Sequence, residues 1–368
     1  MVETIRPDKA IIDSGVIKPG IYRFSGGENP VVSCDISEIV HGGGDRFTTT
    51  RSVGNSFFSR ELLSIVNEGD ILEVNYKSSN IRVILSSAAR QHTLLVTEDC
   101  NNKCIFCSQP PKPTGQFYDQ VLLALSAFDQ QGIFGITGGE PTYFWDDFVL
   151  FLKNTFLSNP DKDYHILSHG RVFSDEKKVK EIQGIGASKK VVFGIPLHGD
   201  SPELHDKITG VPGSFEETVK GLLNLAFSGF ELEIRLVVNR YNYEKIPLIV
   251  DLIRAKFRAV NPVIALMQLE PAGWAKNRYD DLFVPADKQK EQLDAVISSC
   301  ELHKTSLALF NYPLCHLPPI AHKYANKSIS DWKNYFPSLC NSCSIKDDCC
   351  GFFYSAQGRH LDKPRPYL

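Results

Sequence analysis

Three cysteines fall within eight residues in the stretch Cys100-Asn-Asn-Lys-Cys104-Ile-Phe-Cys107. They follow directly on the apolar run Thr93-Leu-Leu-Val-Thr97, which reads as a strand. Thiolates are the natural ligands of iron–sulfur clusters. A closed cluster of the common kind uses four cysteines, and this stretch offers three. A metal site that keeps one position open can bind a substrate there, the logic that separates catalytic from structural zinc sites. The stretch therefore reads as a reactive iron–sulfur site on a loop after a strand. The competing reading is a zinc knuckle or a set of core thiols.

A second group lies near the end of the chain: Cys315, Cys340, Cys343, Cys349 and Cys350. Turn formers are dense there and no helical or strand period is visible. So small an apolar core needs a staple, and a metal can be that staple. Four thiolates plus one fit an auxiliary iron–sulfur cluster, with Cys349 or Cys350 as the fourth ligand. A structural zinc ion fits the same set. Cys34 and Cys300 stand alone and read as buried thiols.

Bulk properties bound the rest. A length of 368 residues allows two or three domains. The hydrophobic share of 42% and charged share of 23% describe an ordinary globular protein. A formal net charge of −3 gives no basic field for nucleic acid. The start has no apolar h-region, and no stretch approaches the ~20 residues that span a bilayer. A cytoplasmic, reducing setting is the expectation, in which clustered cysteines are metal ligands rather than disulfides.

The elements that must position these thiols follow from rhythm. Residues 1–90 carry short β-type runs at 20–24, 71–76 and 81–85, with a hairpin loop at Lys77–Asn80 and a short helix over 59–66, so a small β-rich domain is expected. Gly42-Gly-Gly-Asp45 reads as a turn, because no Lys-Ser/Thr follows it. From residue 91 to 304 the pattern alternates. Strands are expected at 92–97, 132–137, 164–168, 190–196, 232–239, 262–269 and 305–310, and helices at 117–131, 146–157, 175–183, 214–228, 243–257 and 286–303. Ser214 and Glu217 read as a capping box for the fourth helix. Such strand–helix units build a parallel sheet, here a partial (β/α)6 barrel of the TIM type, an α/β fold class. Residues 305–368 form the irregular cysteine-rich end.

In such barrels function collects at the C-terminal ends of the strands. That rule gathers the cysteine loop, Gly138-Gly139-Glu140-Pro141-Thr142, Ser168-His169-Gly170-Arg171, Leu197-His198-Gly199, Asn239, Gln268 and Glu270 at one rim. His198 and His205 read as structural. Arg235, alternating with Glu233 on the fifth strand, is a candidate to line the barrel or to pair with Glu233. Gln268 and Glu270 are better placed to face a substrate.

The C-x3-C-x2-C spacing, Phe106 before the last cysteine, and Gly138-Gly139-Glu140-Pro141 together resemble the radical SAM enzymes. The resemblance implies that Cys100, Cys104 and Cys107 hold a 4Fe-4S cluster whose open iron is chelated by S-adenosylmethionine. It implies reductive cleavage to a 5′-deoxyadenosyl radical that takes a hydrogen atom from the substrate, hard chemistry that belongs to the cofactor. Gly138 and Gly139 would let the backbone approach the methionine end, and Glu140 would accept from its ammonium. Ser168 would touch the ribose and Phe106 would pack beside the adenine. His169 stands where many relatives have Asn. Cys340-x2-Cys343-x5-Cys349 resembles the SPASM and twitch auxiliary-cluster regions of peptide-modifying members, which favours one auxiliary 4Fe-4S cluster over zinc.

The run Thr97-Glu-Asp-Cys-Asn-Asn-Lys-Cys-Ile-Phe-Cys-Ser-Gln-Pro-Pro111, the run Ile136-Thr-Gly-Gly-Glu-Pro-Thr142, and the tail Ser328-Ile-Ser-Asp-Trp-Lys-Asn334 with Cys349-Cys-Gly-Phe-Phe353 look like HxsC, the radical SAM maturase family of the His-Xaa-Ser repeat system. That resemblance implies a ribosomally made peptide or protein substrate with His-x-Ser repeats. It also implies an electron donor such as flavodoxin or ferredoxin, a second radical SAM protein and a small accessory protein. Two other readings remain open at this point. One is a radical SAM enzyme of small-molecule cofactor biosynthesis. The other is a non-catalytic iron–sulfur electron carrier, which would have no use for a ligand cradle at Gly138-Gly139-Glu140.

Overall fold

The computed structural model describes residues 67–75, 80–329, 333–359 and 363–368, together with short strand segments before residue 58. The expected turn at Gly42–Asp45, the helix over 59–66 and Cys34 lie outside the described residues.

Strands β1 (Thr4–Ile5), β2 (Gly20–Ser25), β3 (Ser37–His41), β4 (Arg46–Thr49), β5 (Ser56–Phe57), β6 (Ile71–Asn75) and β7 (Asn80–Leu85) form one sheet in the order β1-β7-β6-β2-β3-β4-β5. The β6–β7 pair is antiparallel and ends on Asn75 opposite Asn80, as a hairpin requires. The buried carboxylate of Asp70 accepts from the Asn67 N–H at 2.8 Å, the Ser87 N–H at 2.6 Å and the Ser87 hydroxyl at 3.0 Å, which closes the turn ahead of β6.

The alternating part of the chain gives β8 (His92–Leu95), α1 (Tyr118–Ala127), β9 (Gly132–Thr137), α2 (Trp145–Ser158), β10 (Lys162–Leu167), α3 (Glu176–Gly184) and β11 (Val191–Pro196). It continues with α4 (Pro202–Thr209), α5 (Ser214–Phe227), β12 (Glu231–Val238), α6 (Ile246–Phe257), β13 (Val263–Gln268), α7 (Tyr279–Leu282), α8 (Ala286–His303), β14 (Leu307–Phe310) and β15 (Ala325–Asn326). The eight strands lie in sequence order in one sheet, and the pairs from β11 to β15 run parallel. This is the partial barrel expected from the rhythm. Its strands alternate as a sheet packed under helices must: on β12, Leu232, Ile234, Leu236 and Val238 are buried, while Glu233 and Arg235 turn to the opposite face.

Two points of local structure correct the sequence reading. Helix α4 was not expected, although Ser201 before Pro202 and Gly210 after Thr209 are start and stop signals. The capping box at Ser214 is absent. Helix α5 begins on Gly213 at φ +79°, and its first turn is capped from α4. The Asp206 carboxylate accepts from the Gly213 N–H at 2.6 Å, the Phe215 N–H at 2.8 Å and the Ser214 hydroxyl at 2.8 Å. Glu217, freed from capping, pairs with Arg171 instead.

Among the described residues of 311–368, short 3-10 turns accompany β15 and one antiparallel pair of β16 (Asn334–Tyr335) and β17 (Phe352–Phe353). Cys300 is buried on α8, as a lone thiol is expected to be. Among the described residues no helix is long and apolar enough to cross a membrane.

The chain divides into two compact units. One comprises 1–97, 116–137 and 144–164, and the other 98–115, 138–143 and 165–368. Every side chain of the candidate site lies in the second.

Candidate metal centre

The cysteine loop has no regular structure of its own, so its shape depends on its neighbours. Its middle is pinned to the end of α4, where Lys103 N–H donates to Thr209 O at 2.9 Å and Ile105 N–H to Ile208 O at 3.0 Å. Its far end is closed by the turn after β13. Trp274 N–H donates to Cys107 O at 2.8 Å, and Gly273 sits at φ +56° with no room for a side chain: a Cβ there would meet Cys107 O at 2.3 Å. Its near end packs on the glycine pair. Glu140 N–H donates to Asp99 O at 2.7 Å, and a Cβ on Gly139 would lie 2.3 Å from the same oxygen. Gly139 is thus required by the approach of two loops of this chain, a reason the sequence did not reveal.

Within the loop, Asn102 is the hub, 4% exposed. Its N–H donates to Cys100 Sγ at 3.4 Å and its amide reaches the Cys104 thiol. Its Oδ1 accepts from Arg171 Nη1 at 2.8 Å. Arg171 also donates through Nε to Glu217 of α5. His169 completes the clamp. Its Nδ1 accepts from the Arg171 N–H at 3.2 Å, so Nε2 carries the proton and donates to Asn101 Oδ1 at 2.6 Å. Asn101 and Asn102 were not singled out from sequence, and Arg171 was placed at the rim without a role. The signal available was two consecutive amides inside the cysteine spacing.

Glu140 is buried, 1% exposed, and its carboxylate is engaged by its own chain. Oε1 accepts from Thr142 N–H at 3.0 Å, the Thr142 hydroxyl at 2.6 Å and the Ser168 hydroxyl at 2.7 Å, and Oε2 accepts from His169 N–H at 2.7 Å. Ser168 and Glu140 therefore meet each other at the rim, as the strand-end rule expects. Phe106 packs in a core cluster with Ile208, Leu269, Tyr279 and Phe283, and stands edge-on to His198 at 5.0 Å.

Burial and nearby charge oppose ionisation of these thiols. Burial first, then Glu140 and the neighbouring sulfurs, pushes Cys100 up to about 12. Burial and then Cys107 push Cys104 up to about 12, and burial raises Cys107 as well. Such thiols ionise only if a strong positive charge arrives, and iron supplies it. Among the described residues, no three Cys, His, Asp or Glu side chains stand close enough, as placed, to grip a metal ion. The donor chemistry nevertheless fits a cluster: three half-buried thiols stand on one clamped loop, and Glu140 is the carboxylate that opposes ionisation of Cys100 and Cys104.

The C-terminal cysteines resolve more sharply. Cys315, Cys340, Cys343 and Cys349 line one cavity of about 310 Å³, counting space open to solvent, beside Phe336 and Phe352. Cys350 is instead packed in an apolar cluster with Ile329, Phe353 and Ala356. Two backbone amides, of Leu314 and Gly351, donate to Cys349 Sγ at 3.4 Å each. A hydrogen bond from Cys350, then these amides, outweighs burial and draws Cys349 down to about 6. The last residues close over the cavity. Pro364 and Pro366 line it, and Arg365 holds Asp287 through both terminal nitrogens at 2.6 and 2.8 Å.

The remaining candidates are placed as follows. Arg235 Nη1 donates to Glu233 at 2.6 Å, and Nη2 points to Met267 Sδ at 3.2 Å, so the pairing foreseen on the fifth strand is present. Gln268 is buried and accepts from Gln289 at 3.2 Å, while Glu270 pairs with Lys333 at 3.2 Å. His198 and His205 are buried, and His205 Nδ1 accepts from the His198 N–H at 3.1 Å.

Residues 94–253 match the model of the Radical SAM superfamily. The chain is 26% identical over 200 residues to a probable GTP 3′,8-cyclase of Pyrobaculum aerophilum, covering 52% of this chain and 62% of that protein. It is 26% identical over 330 residues to the mycofactocin maturase MftC of Mycobacterium tuberculosis, covering 74% and 80%. Of the first relatives matched, the chain spans less than two thirds: 62%, 40% and 54% of their lengths. Among solved structures, native anSMEcpe with bound AdoMet and a Cp18Cys peptide superposes with a TM-score of 0.51 at 14% identity, over 74% of this chain and 91% of that one, a likeness of fold. The superfamily's cofactors are a 4Fe-4S cluster and S-adenosylmethionine, and the donor set at the rim fits them. The likeness to the Radical SAM superfamily is carried by residues 94–253 of this chain.

Proposed function

We propose that this protein cleaves S-adenosylmethionine reductively and uses the radical to modify a ribosomally made peptide of the His-x-Ser repeat type. The observation that carries the reading is the clamped loop that holds Cys100, Cys104 and Cys107 against the Gly138-Gly139-Glu140 turn. When bound, the cluster supplies the electron that splits the sulfonium ligand into methionine and a 5′-deoxyadenosyl radical. The chain's own residues do the rest. Asn101, Asn102, His169 and Arg171 fix the loop, so the thiolates need little reorganisation. Glu140, held by Thr142, Ser168 and His169, sets a fixed negative charge at the rim where a ligand's ammonium would seat. Ser168 and Phe106 border that place.

Cys315, Cys340, Cys343 and Cys349 would hold an auxiliary 4Fe-4S cluster with full cysteine ligation, with Cys350 outside the ligand set. Four thiols around one cavity favour a peptide-modifying enzyme over one that binds a small molecule at an open auxiliary iron. The maturase likeness over 330 residues leans the same way. The cyclase likeness keeps small-molecule cofactor synthesis as the second reading. A flavodoxin or ferredoxin would supply the electron, and a second radical SAM protein and a small accessory protein would act alongside.

Anaerobic reconstitution with dithionite, S-adenosylmethionine and a His-x-Ser repeat peptide, read by mass spectrometry, tests the proposal. Formation of 5′-deoxyadenosine with loss of two hydrogens from the peptide is the expected result. Cofactor cleavage with an unchanged peptide would overturn the substrate assignment.

A further inference from the structure

The thiols around the C-terminal cavity stand on separate short turns. Cys315 lies in the turn Leu314–His316, Cys340 lies in the turn Ser338–Ser342, and Cys343 follows that turn directly. Residues 363–368 tie the two turns together. The His316 ring donates through Nε2 to Lys363 O at 3.1 Å. The Ser344 N–H and hydroxyl donate to Tyr367 O at 2.8 and 3.2 Å. Between these anchors, Pro364 and Pro366 line the cavity.

The local sequence suits this stretch to act as a strap. Each proline has a fixed φ and holds the residue before it extended, so the backbone of 363–366 is stiff before it docks. Neither proline has an N–H. Arg365 therefore carries the one backbone donor of 364–366, and it donates to the Cys315 thiol. Its side chain grips Asp287, in the first turn of α8, through both terminal nitrogens at 2.6 and 2.8 Å. Both members of that pair are exposed, so water and salt weaken it. Cys340 and Cys349 are buried, whereas Cys315 and Cys343 are partly open. The strap falls on the open pair, with Arg365 N–H on Cys315 and Tyr367 O on Ser344, next to Cys343. A metal site needs an entry path, and here the path runs past the strap.

We infer that residues 363–368 form a gate over the four thiols, latched by Arg365 and Asp287, that opens to admit iron and sulfide and slows their escape once closed. This deepens, and rests on, the reading of Cys315, Cys340, Cys343 and Cys349 as a cluster site. The gate itself acts on the thiols and is measurable without metal.

The test follows alkylation of the metal-free protein by N-ethylmaleimide under anaerobic conditions, residue by residue, by peptide mass spectrometry. Labelling behind a locally opening segment tracks the open population. Arg365→Ala and Asp287→Ala should each speed labelling of Cys315 and Cys343 about threefold, with Cys100, Cys104 and Cys107 unchanged. The exchanged pair, Arg365→Asp with Asp287→Arg, should return to the wild-type rate. Salt at about 1 M should speed the wild type but not the single variants. With Cys100, Cys104 and Cys107 replaced by alanine, iron release from the reconstituted protein to a chelator should follow the same order. Equal labelling in the wild type and both single variants would overturn the gate. So would an exchanged pair as fast as either single variant, or an equal rise at Cys100, Cys104 and Cys107. Gated labelling with no iron bound by the C-terminal thiols would instead overturn the cluster reading on which the gate's role rests.

Discussion

The sulfur atoms make the most pointed statements about single residues. Cys349 and Cys350 are neighbours of the same type, and sequence could not choose between them. Their surroundings differ: one lines the thiol-lined cavity and the other packs in an apolar cluster, which favours the proposal that Cys349 is the ligand. Cys349→Ala should therefore cost about half of the iron bound per chain, whereas Cys350→Ala should leave the iron count unchanged. Iron analysis with visible spectroscopy reads this, and equal losses in the two variants would contradict it. At the rim, Glu140→Ala would leave the Thr142, Ser168 and His169 donors buried without their acceptor, at about 3 kcal/mol in stability. A thermal melt no lower than wild type would show that the carboxylate does not hold the rim together. Cys343→Ala should retain part of the S-adenosylmethionine cleavage, since its thiol lines only the C-terminal cavity.

Among the elements, α4 carries the most consequence for its length. Its last residues hold the cysteine loop, and its Asp206 caps α5. Burial would raise Asp206, but the Ser214 hydroxyl and the Phe215 and Gly213 amides hold it below the usual carboxylate range. A carboxyl depressed in the folded state gives stability that is present above its unfolded value and lost as pH falls through the folded one. Asp206→Asn should cost about 2 kcal/mol at pH 7, and the gap to wild type should narrow as the pH drops below about 4. Melting curves across that range check both. Most strands and helices from β8 onward were legible because their apolar periods of two and of three to four are long enough to stand out. Helix α4 was not, because at eight residues between Pro202 and Gly210 it offers barely two turns of pattern. The role of Asp206 was hidden for a related reason: its cap acts across two helices, and sequence-local rules look three residues ahead.

For the molecule as a whole, chemistry and scaffold differ in how far sequence reveals them. The cysteine spacing and the Gly138-Gly139-Glu140 turn were readable because each is local. The clamp of Asn101, Asn102, His169 and Arg171 was not, because it joins loops about seventy residues apart. The same holds for the C-terminal cavity, whose thiols come from 3-10 turns and whose cover is the final residues around Pro364–Pro366.

The account stands on a trio of thiolates leaving one iron open to a sulfonium ligand. Under anaerobic reduction, the 5′-deoxyadenosine formed from S-adenosylmethionine by the wild-type protein and by Cys104→Ala tests this most directly. The account predicts steady formation in the first and none in the second. Equal amounts from both, or none from the fully iron-loaded wild type, would contradict it.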